Sequence, residues 1–302
     1  MSPSIGQGTT LGKARYTFGG DEHVFVEISE SMSLPAFFKS MAICTELKKR
    51  AVPGVTEICP ANASYLVRFD PDVMDPDSMM RCLQDIEASV GAADMDLQTR
   101  IIEVPVLYND PWTHETLMRF RERHQDPTST DLEYAARINH FKTVDEFIQA
   151  HSASPWFVSM VGFVAGLPFL FQMVEQPRQL EVPKYLSPRT DTPKLTLGHG
   201  GCFSCIYSVR GAGGYQMFGV TPAPIFDPAQ GLPYLKELMV FFKPGDIVKW
   251  KPIDRHEYDT IARDVAAGTY QLPIRPVTFS LTAFWADPDT YNQELLQVFH
   301  GH

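Results

Sequence analysis

Leu195-Thr196-Leu197-Gly198-His199-Gly200-Gly201-Cys202-Phe203-Ser204-Cys205-Ile206-Tyr207-Ser208-Val209-Arg210-Gly211-Ala212-Gly213-Gly214-Tyr215-Gln216-Met217-Phe218-Gly219-Val220 is the stretch on which the fold turns. Three short apolar runs, at 195–197, 206–209 and 217–220, are separated by glycine clusters. That is the pattern of short strands joined by tight turns. A fourth run, Ile247 to Trp250, follows more Pro and Gly punctuation, and together they point to a β-barrel or sandwich.

The segments around this stretch read differently. Ile101 to Tyr108 is a strand candidate in which Pro105 favours an edge or a bulge. Three short helices are expected next, because Thr130-x-x-Glu133 and Thr143-x-x-Glu146 both have capping-box form ahead of apolar positions. Downstream, Asp254-x-x-Glu257 opens a helix along Tyr258, Ile261, Ala262 and Val265, with Gly268 to end it. A last helix is expected from Pro288 to His300.

The N-terminal part reads as a small α/β unit. Val24, Val26 and Ile28 alternate with Phe25 and Glu27, a half-buried strand. Ser33 caps a helix with Leu34, Phe37, Phe38, Met41 and Cys44 at helical spacing and Pro35 in its first turn, and Pro53-Gly54 turns the chain. Tyr65 to Phe69 is a second strand, and Asp75-Pro76 opens a helix carrying Met79, Met80, Leu83 and Ile86. The expected organisation is a flexible segment 1–14, an α/β plait domain 15–97 and a β-rich domain 98–302 with C-terminal helices.

Composition narrows the function classes. With 44% apolar and 21% charged residues in 302, the chain is too apolar for a disordered protein. A net charge of -10 argues against a general nucleic-acid surface, which needs a concentrated Lys/Arg face. The one dense basic cluster, Lys48-Lys49-Arg50, complements a helix C-terminus. The N-terminus has no apolar signal region, and the apolar-rich stretch from Phe157 to Phe171 is too short to span a bilayer. Five irregularly spaced cysteines suit reduced thiols, so a cytoplasmic protein that meets neither nucleic acid nor membrane is expected.

No phosphate-binding G-x-x-x-x-G-K-[ST] loop, H-E-x-x-H or G-x-S-x-G motif occurs. His199-x-x-Cys202-x-x-Cys205 offers three corners of a zinc tetrahedron but no evident fourth ligand; the competing reading, and the one adopted, is a strand with two small buried thiols and no metal. Gly198, Gly200 and Gly201, with Gly213 and Gly214, either build an anion-binding nest or make tight hairpin turns. His151, near a helix end, is either a general base or a helix C-cap.

The order of motifs from 150 to 253 resembles one family. The matching text is His151-Ser152, Met160 to Phe169, Pro188-Arg189-Thr190-x-Thr192-Pro193, Cys205-Ile206-Tyr207, Gly213-Gly214-Tyr215-Gln216-Met217-Phe218-Gly219-x-Thr221-Pro222, Phe226-Asp227-Pro228 and Pro244-Gly245-Asp246-x-Val248. It is similar to the family of allophanate hydrolase subunit 1, the B subunit of 5-oxoprolinase and the Kip sporulation-kinase inhibitor. Within that family the text is closest to the carboxyltransferase region of urea carboxylase. Phe203 stands where oxoprolinase-type subunits usually carry Gln.

The resemblance implies an α+β fold: an N-terminal α/β plait domain followed by a cyclophilin-like β-barrel domain with helical insertions. It implies one subunit of a biotin-dependent carboxyltransferase, inactive alone, that moves a carboxyl group from carboxybiotin to the nitrogen of a small amide or urea-like substrate. The partners it implies are a sister carboxyltransferase subunit of the allophanate hydrolase subunit 2 type, a biotin carboxylase that uses the ATP, and a biotin carrier protein. On the matched positions His151, Lys184 and Arg189 would be catalytic. Tyr207, Tyr215, Gln216 and the backbones of Gly198, Gly200, Gly201, Gly213 and Gly214 would bind substrate. An ATP-dependent lactam amidohydrolase subunit of the 5-oxoprolinase type and a kinase-inhibitor-like binding protein are the alternative readings.

Overall fold

The computed structural model describes residues 11–90 and 96–299. The N-terminal residues 1–10 of the expected flexible segment, and His300 of the expected last helix, lie outside the described residues. The chain divides into two compact units, Met1–Gln98 with Thr278–Asp287, and Thr99–Val277 with Pro288–His302.

The first unit is an antiparallel sheet backed by helices. Strands β1 (Arg15–Phe18) and β2 (His23–Glu27) precede helix α1 (Leu34–Arg50). Strands β3 (Val55–Ala61) and β4 (Ser64–Phe69) then precede α2 (Pro76–Ser89), and the sheet order is β1-β2-β4-β3. Val24, Val26, Tyr65 and Val67 point into one core with Ile43, Leu47, Met79, Leu83 and Ile86 from the helices. Ser33 Oγ accepts from Ala36 N and Asp75 Oδ1 from Ser78 N, so both expected caps are formed. Strands β1 and β3 lack a sequence signal because they are edge strands with largely exposed side chains.

The second unit is a closed sheet. Its strands are β5 (Asp96–Tyr108), β6 (Trp156–Val161), β7 (Pro168–Gln172), β8 (Arg189–Thr192), β9 (Thr196–Gly200), β10 (Phe203–Ile206), β11 (Gly211–Gly213), β12 (Gln216–Val220) and β13 (Ile247–Pro252). The order β12-β9-β10-β7-β6-β13-β5, with β12 also paired to β5, closes a seven-stranded barrel; β8 and β11 form a separate ribbon. Helices α3 (Pro111–Phe120), α4 (Asp131–Ile138) and α5 (Val144–Ala153) lie between β5 and β6, and α6 (Arg255–Ala266) follows β13. The chain continues through β14 (Ile274–Ser280), which extends the sheet beside β5, α7 (Leu281–Ala286) and α8 (Pro288–Leu296). Among the described residues no helix is long and apolar enough to cross a membrane.

Pairing geometry explains where the expectations shift. The expected strand at 206–209 ends at Ile206, and β9 runs on through Gly198 and Gly200. Pro105 sits inside β5 opposite Lys251 of the parallel β13. Glu103 N donates to Pro273 O, and by strand alternation the Pro105 nitrogen points to the same side. It falls in the gap before β12 pairing starts at Leu107, so no ladder bond is lost. The last helix stops at Leu296 and ends in a 3₁₀ turn over Gln297–Phe299.

Candidate active site

The barrel sheet has two chemically distinct faces. Leu197, His199, Ser204, Ile206 and Phe218 alternate with Gly198, Gly200, Phe203 and Cys205 along β9, β10 and β12. The first set joins the interior core with Trp156, Val158 and Trp250. His199 and Cys205 therefore face opposite sides of the sheet, which separates the ligands of the zinc reading. Among the described residues no group of three His, Cys, Asp or Glu side chains is placed to hold a metal.

His151 belongs to the interior. Helix α5 carries it, fully buried, among Trp156, Phe218, Trp250 and His199, and its Nδ1 shares a 2.9 Å hydrogen bond with the Tyr108 hydroxyl. Burial, reinforced by His199, holds its pKa well below that of a free imidazole. His199 is pushed down to about 4 by burial, although its Nε2 bonds the carbonyls of Leu180 and Gly201. Of the two readings of His151, general base or helix C-cap, neither describes where the structure places it, which is as a fully buried core histidine.

The glycine clusters serve aromatic rings. A β-carbon on Gly198 would stand 2.9 Å from Tyr207 Cε2, and one on Gly200 2.6 Å from Tyr215 Cε1; on Gly213 it would run into the Tyr207 hydroxyl end. Gly201, at φ 62, turns the β9–β10 hairpin and donates its N–H to Val182 O. Gly214 meets the chain through its carbonyl, which accepts from Tyr185 N at 2.7 Å. Of the two readings of these glycines, nest or hairpin turn, Gly201 makes a hairpin turn and spends its donor within the chain, while Gly198 and Gly200 lie in β9, which is paired on both sides.

Four of the expected side chains do converge. Tyr207 and Tyr215 lie over this outer face, joined by Tyr215 N donating to the Tyr207 hydroxyl at 3.4 Å. Lys184 Nζ stands 5.3 Å from the centre of the Tyr215 ring. Arg189 lies opposite Gly213 in the β8–β11 ribbon, and Gly213 packs under Tyr207. The Arg189 guanidinium is 0% exposed, stacks 4.3 Å from the centre of the Tyr185 ring and donates through Nε to Thr192 Oγ1 at 3.3 Å. Its two terminal nitrogens have no hydrogen-bond partner. Gln216 is locked elsewhere: Oε1 meets His124 Nε2 at 2.8 Å and Nε2 donates to Gln125 and to Pro183 O.

Sequence reasoning missed the support behind Arg189. The buried Asp131 carboxylate accepts from the Tyr185 hydroxyl at 2.7 Å and from Met217 N at 2.5 Å, and His124 Nε2 is 3.5 Å away. Burial raises its pKa, while those two hydrogen bonds and the nearby Arg189 pull the other way. The only signal was the adjacent Thr130 cap, which read as helix initiation and nothing more.

With this geometry in place, the comparisons are decisive for kinship. Residues 14–236 match the family described as the carboxyltransferase domain, subdomain C and D. The chain belongs to that family. This carboxyltransferase-family chain is 27% identical over 249 residues to the B subunit of 5-oxoprolinase from Bacillus subtilis, covering 79% of this chain and 92% of that one. It is 25% identical to the urea amidolyase of Saccharomyces cerevisiae over 88% of its own length but only 15% of the amidolyase. The crystal structure of Kluyveromyces lactis urea carboxylase shares its fold, with a TM-score of 0.79 over 95% of this chain and 26% of that one at 20% identity.

Proposed function

We propose that this chain is one subunit of the carboxyltransferase component of a biotin-dependent urea or amide carboxylase-type complex, and that its closed sheet is a cyclophilin-like barrel. The observation that carries the reading is the buried Arg189 guanidinium with two unpartnered nitrogens beside Tyr207. Buried donors without an acceptor are costly, and a planar guanidinium matches the oxygens of a carboxylate or a ureido group. These residues fit carboxybiotin, whose chemistry when bound is to supply the carboxyl group. The sister carboxyltransferase subunit, the biotin carrier and the ATP-using biotin carboxylase would be separate partners.

The chain's own groups then have distinct tasks. Arg189 holds developing negative charge on an oxygen; removing one such donor typically lowers a rate by about 10²–10³. Burial raises the Tyr207 pKa, so its hydroxyl stays protonated and donates. Lys184 adds positive charge at the rim above Tyr215. Asp131 fixes Tyr185, and through it the plane of Arg189.

The test is to combine the chain with its sister subunit, a biotinylated carrier, biotin carboxylase, ATP and labelled bicarbonate. Label transferred to an amide or urea nitrogen supports the proposal, and loss of transfer in Arg189→Met ties it to this site. A second reading, a component of a 5-oxoprolinase, is favoured by the match to 92% of the Bacillus subtilis relative. Hydrolysis of 5-oxoproline without bicarbonate or biotin would decide for it.

A further inference from the structure

A cleft of about 840 Å³ opens within the second unit. Its walls are the turn after α4, the C-terminal end of α5, the chain leaving β7, and helix α8. None of Lys184, Arg189, Tyr207 or Tyr215 lines it, so carboxyl transfer at Arg189 makes no use of it. Clefts of roughly 300–1,000 Å³ are of the size that holds a small organic ligand.

The polar groups of its wall are unevenly satisfied. Asn292 of α8 is 6% exposed, and its Nδ2 donates to Met173 O at 2.6 Å. Its Oδ1 has no hydrogen-bond partner, and an unpaired buried acceptor is costly. Met173 does not line the cleft and Asn292 does, so Oδ1 is the branch of the amide left to the cleft side. Ser154 caps the end of α5, and its Oγ accepts from Gln172 Nε2 at 2.9 Å, which leaves its own proton to give. Met173 draws these two walls together. Its N–H donates to Pro155 O, next to Ser154, while its carbonyl takes Asn292.

The charges disfavour an anion. Arg178 is the one Lys or Arg among the lining residues, and its terminal nitrogens hold the Asp289 carboxylate of α8 at 2.6 and 3.2 Å. Glu181 adds a further negative charge to the wall, while Ile138, Phe141, Val174 and Leu296 supply apolar surface. The lining thus suits a ligand that gives an N–H, takes an O–H, and carries an apolar body without negative charge. An amine has the donor without the acceptor, and a carboxylate the reverse.

We infer that this cleft is a binding site for an uncharged carboxamide with an apolar body, whose N–H pairs with Asn292 Oδ1 and whose carbonyl takes the Ser154 proton. The site is separate from the Arg189 face and does not rest on the proposed function.

The experiment titrates the full chain at pH 7, by calorimetry, with benzamide, benzylamine and benzoate, which share one ring and differ in the head. Benzamide is expected to bind at least about tenfold more tightly than either of the others, the cost of one unmatched buried hydrogen bond. Asn292→Leu should lose that preference. Ala153→Trp, at an exposed position on the wall, fills the cleft without removing a side-chain hydrogen bond and should abolish binding at an unchanged unfolding temperature. If it melts early, Leu296→Trp plugs the cleft from α8 instead. No binding of benzamide, equal affinity for the three probes, or wild-type affinity in a folded plugged chain each overturns the inference. Carboxyl transfer by the reconstituted complex is read separately, and its failure leaves this site standing.

Discussion

The Arg189 guanidinium lies 4.3 Å from the centre of the Tyr185 ring, whose hydroxyl is tied to Asp131. The cation thus lies over a ring whose hydroxyl is tied down, and the same carboxylate has its pKa drawn down by the cation. Removing Arg189 leaves the buried Asp131 carboxylate without the positive charge that draws its pKa down. Arg189→Met should therefore lower carboxyl transfer by about 10²–10³, and Arg189→Met with Asp131→Asn should be more stable than Arg189→Met alone. Turnover of the reconstituted complex beside thermal melts of the single and double variants checks this; unchanged transfer by a folded Arg189→Met chain would mean that Arg189 is a structural cation.

Glycine substitutions should separate by what lies above each position. Gly198→Ala and Gly213→Ala force a methyl into the Tyr207 ring and should cost about 1–3 kcal/mol in urea unfolding. Gly211→Ala meets open space at ordinary backbone angles and should be neutral. Gly201→Ala also meets open space, but its φ of 62 should cost about 1 kcal/mol.

The two interior histidines make stability depend on acid. Both are held below the ordinary imidazole pKa in the folded state, His199 at about 4. Well above pH 7 neither state binds a proton there. Below about 6.5 the unfolded chain takes up protons that the folded one refuses, so stability falls as pH drops toward 4. The slope is about 1.4 kcal/mol per pH unit for each histidine. Urea titrations at pH 7, 6 and 5 should show a shallower fall for His151→Phe than for wild type. Equal slopes would mean that His151 is not neutral in the core.

Asp246, in the Pro-Gly-Asp turn before β13, holds Arg100 through paired bonds of 2.9 Å and also accepts from Lys243 N. The carboxylate is fully buried and Arg100 is not. Asp246→Ala should destabilise by about 3 kcal/mol, and a second change, Arg100→Met, should recover much of it. Denaturant midpoints of the single and double variants measure the coupling.

Periodicity made the elements with a buried face legible: α1, α2 and the strand at Val24 and Val26 all carry their apolar residues at the spacing their packing requires. The edge strands β1 and β3 have no fully buried side chain, Tyr16, Val55 and Ile58 being only partly buried against the core, and left no pattern to read. At the site, glycine clusters and Tyr207, Tyr215, Lys184 and Arg189 were visible as residues. Their arrangement was not, because a glycine placed to admit a ring reads the same as one placed to turn a chain. His151 illustrates the converse: its last-turn position marked it, yet only the ring of aromatics from four other strands shows it is sealed in. Asp131 acts through residues 54 and 86 positions away, which no local pattern encodes.

Residues 278–287 return to the first unit after the barrel has been built. Phe279 stacks on Phe38 at 5.1 Å, and Phe279 and Phe284 are fully buried. During synthesis the N-terminal sheet therefore waits for the contact of Phe38 with Phe279 until the whole of Thr99–Val277 has been made. A nascent chain stalled before Thr278 should carry a first unit that proteases and chaperones still recognise as unfinished.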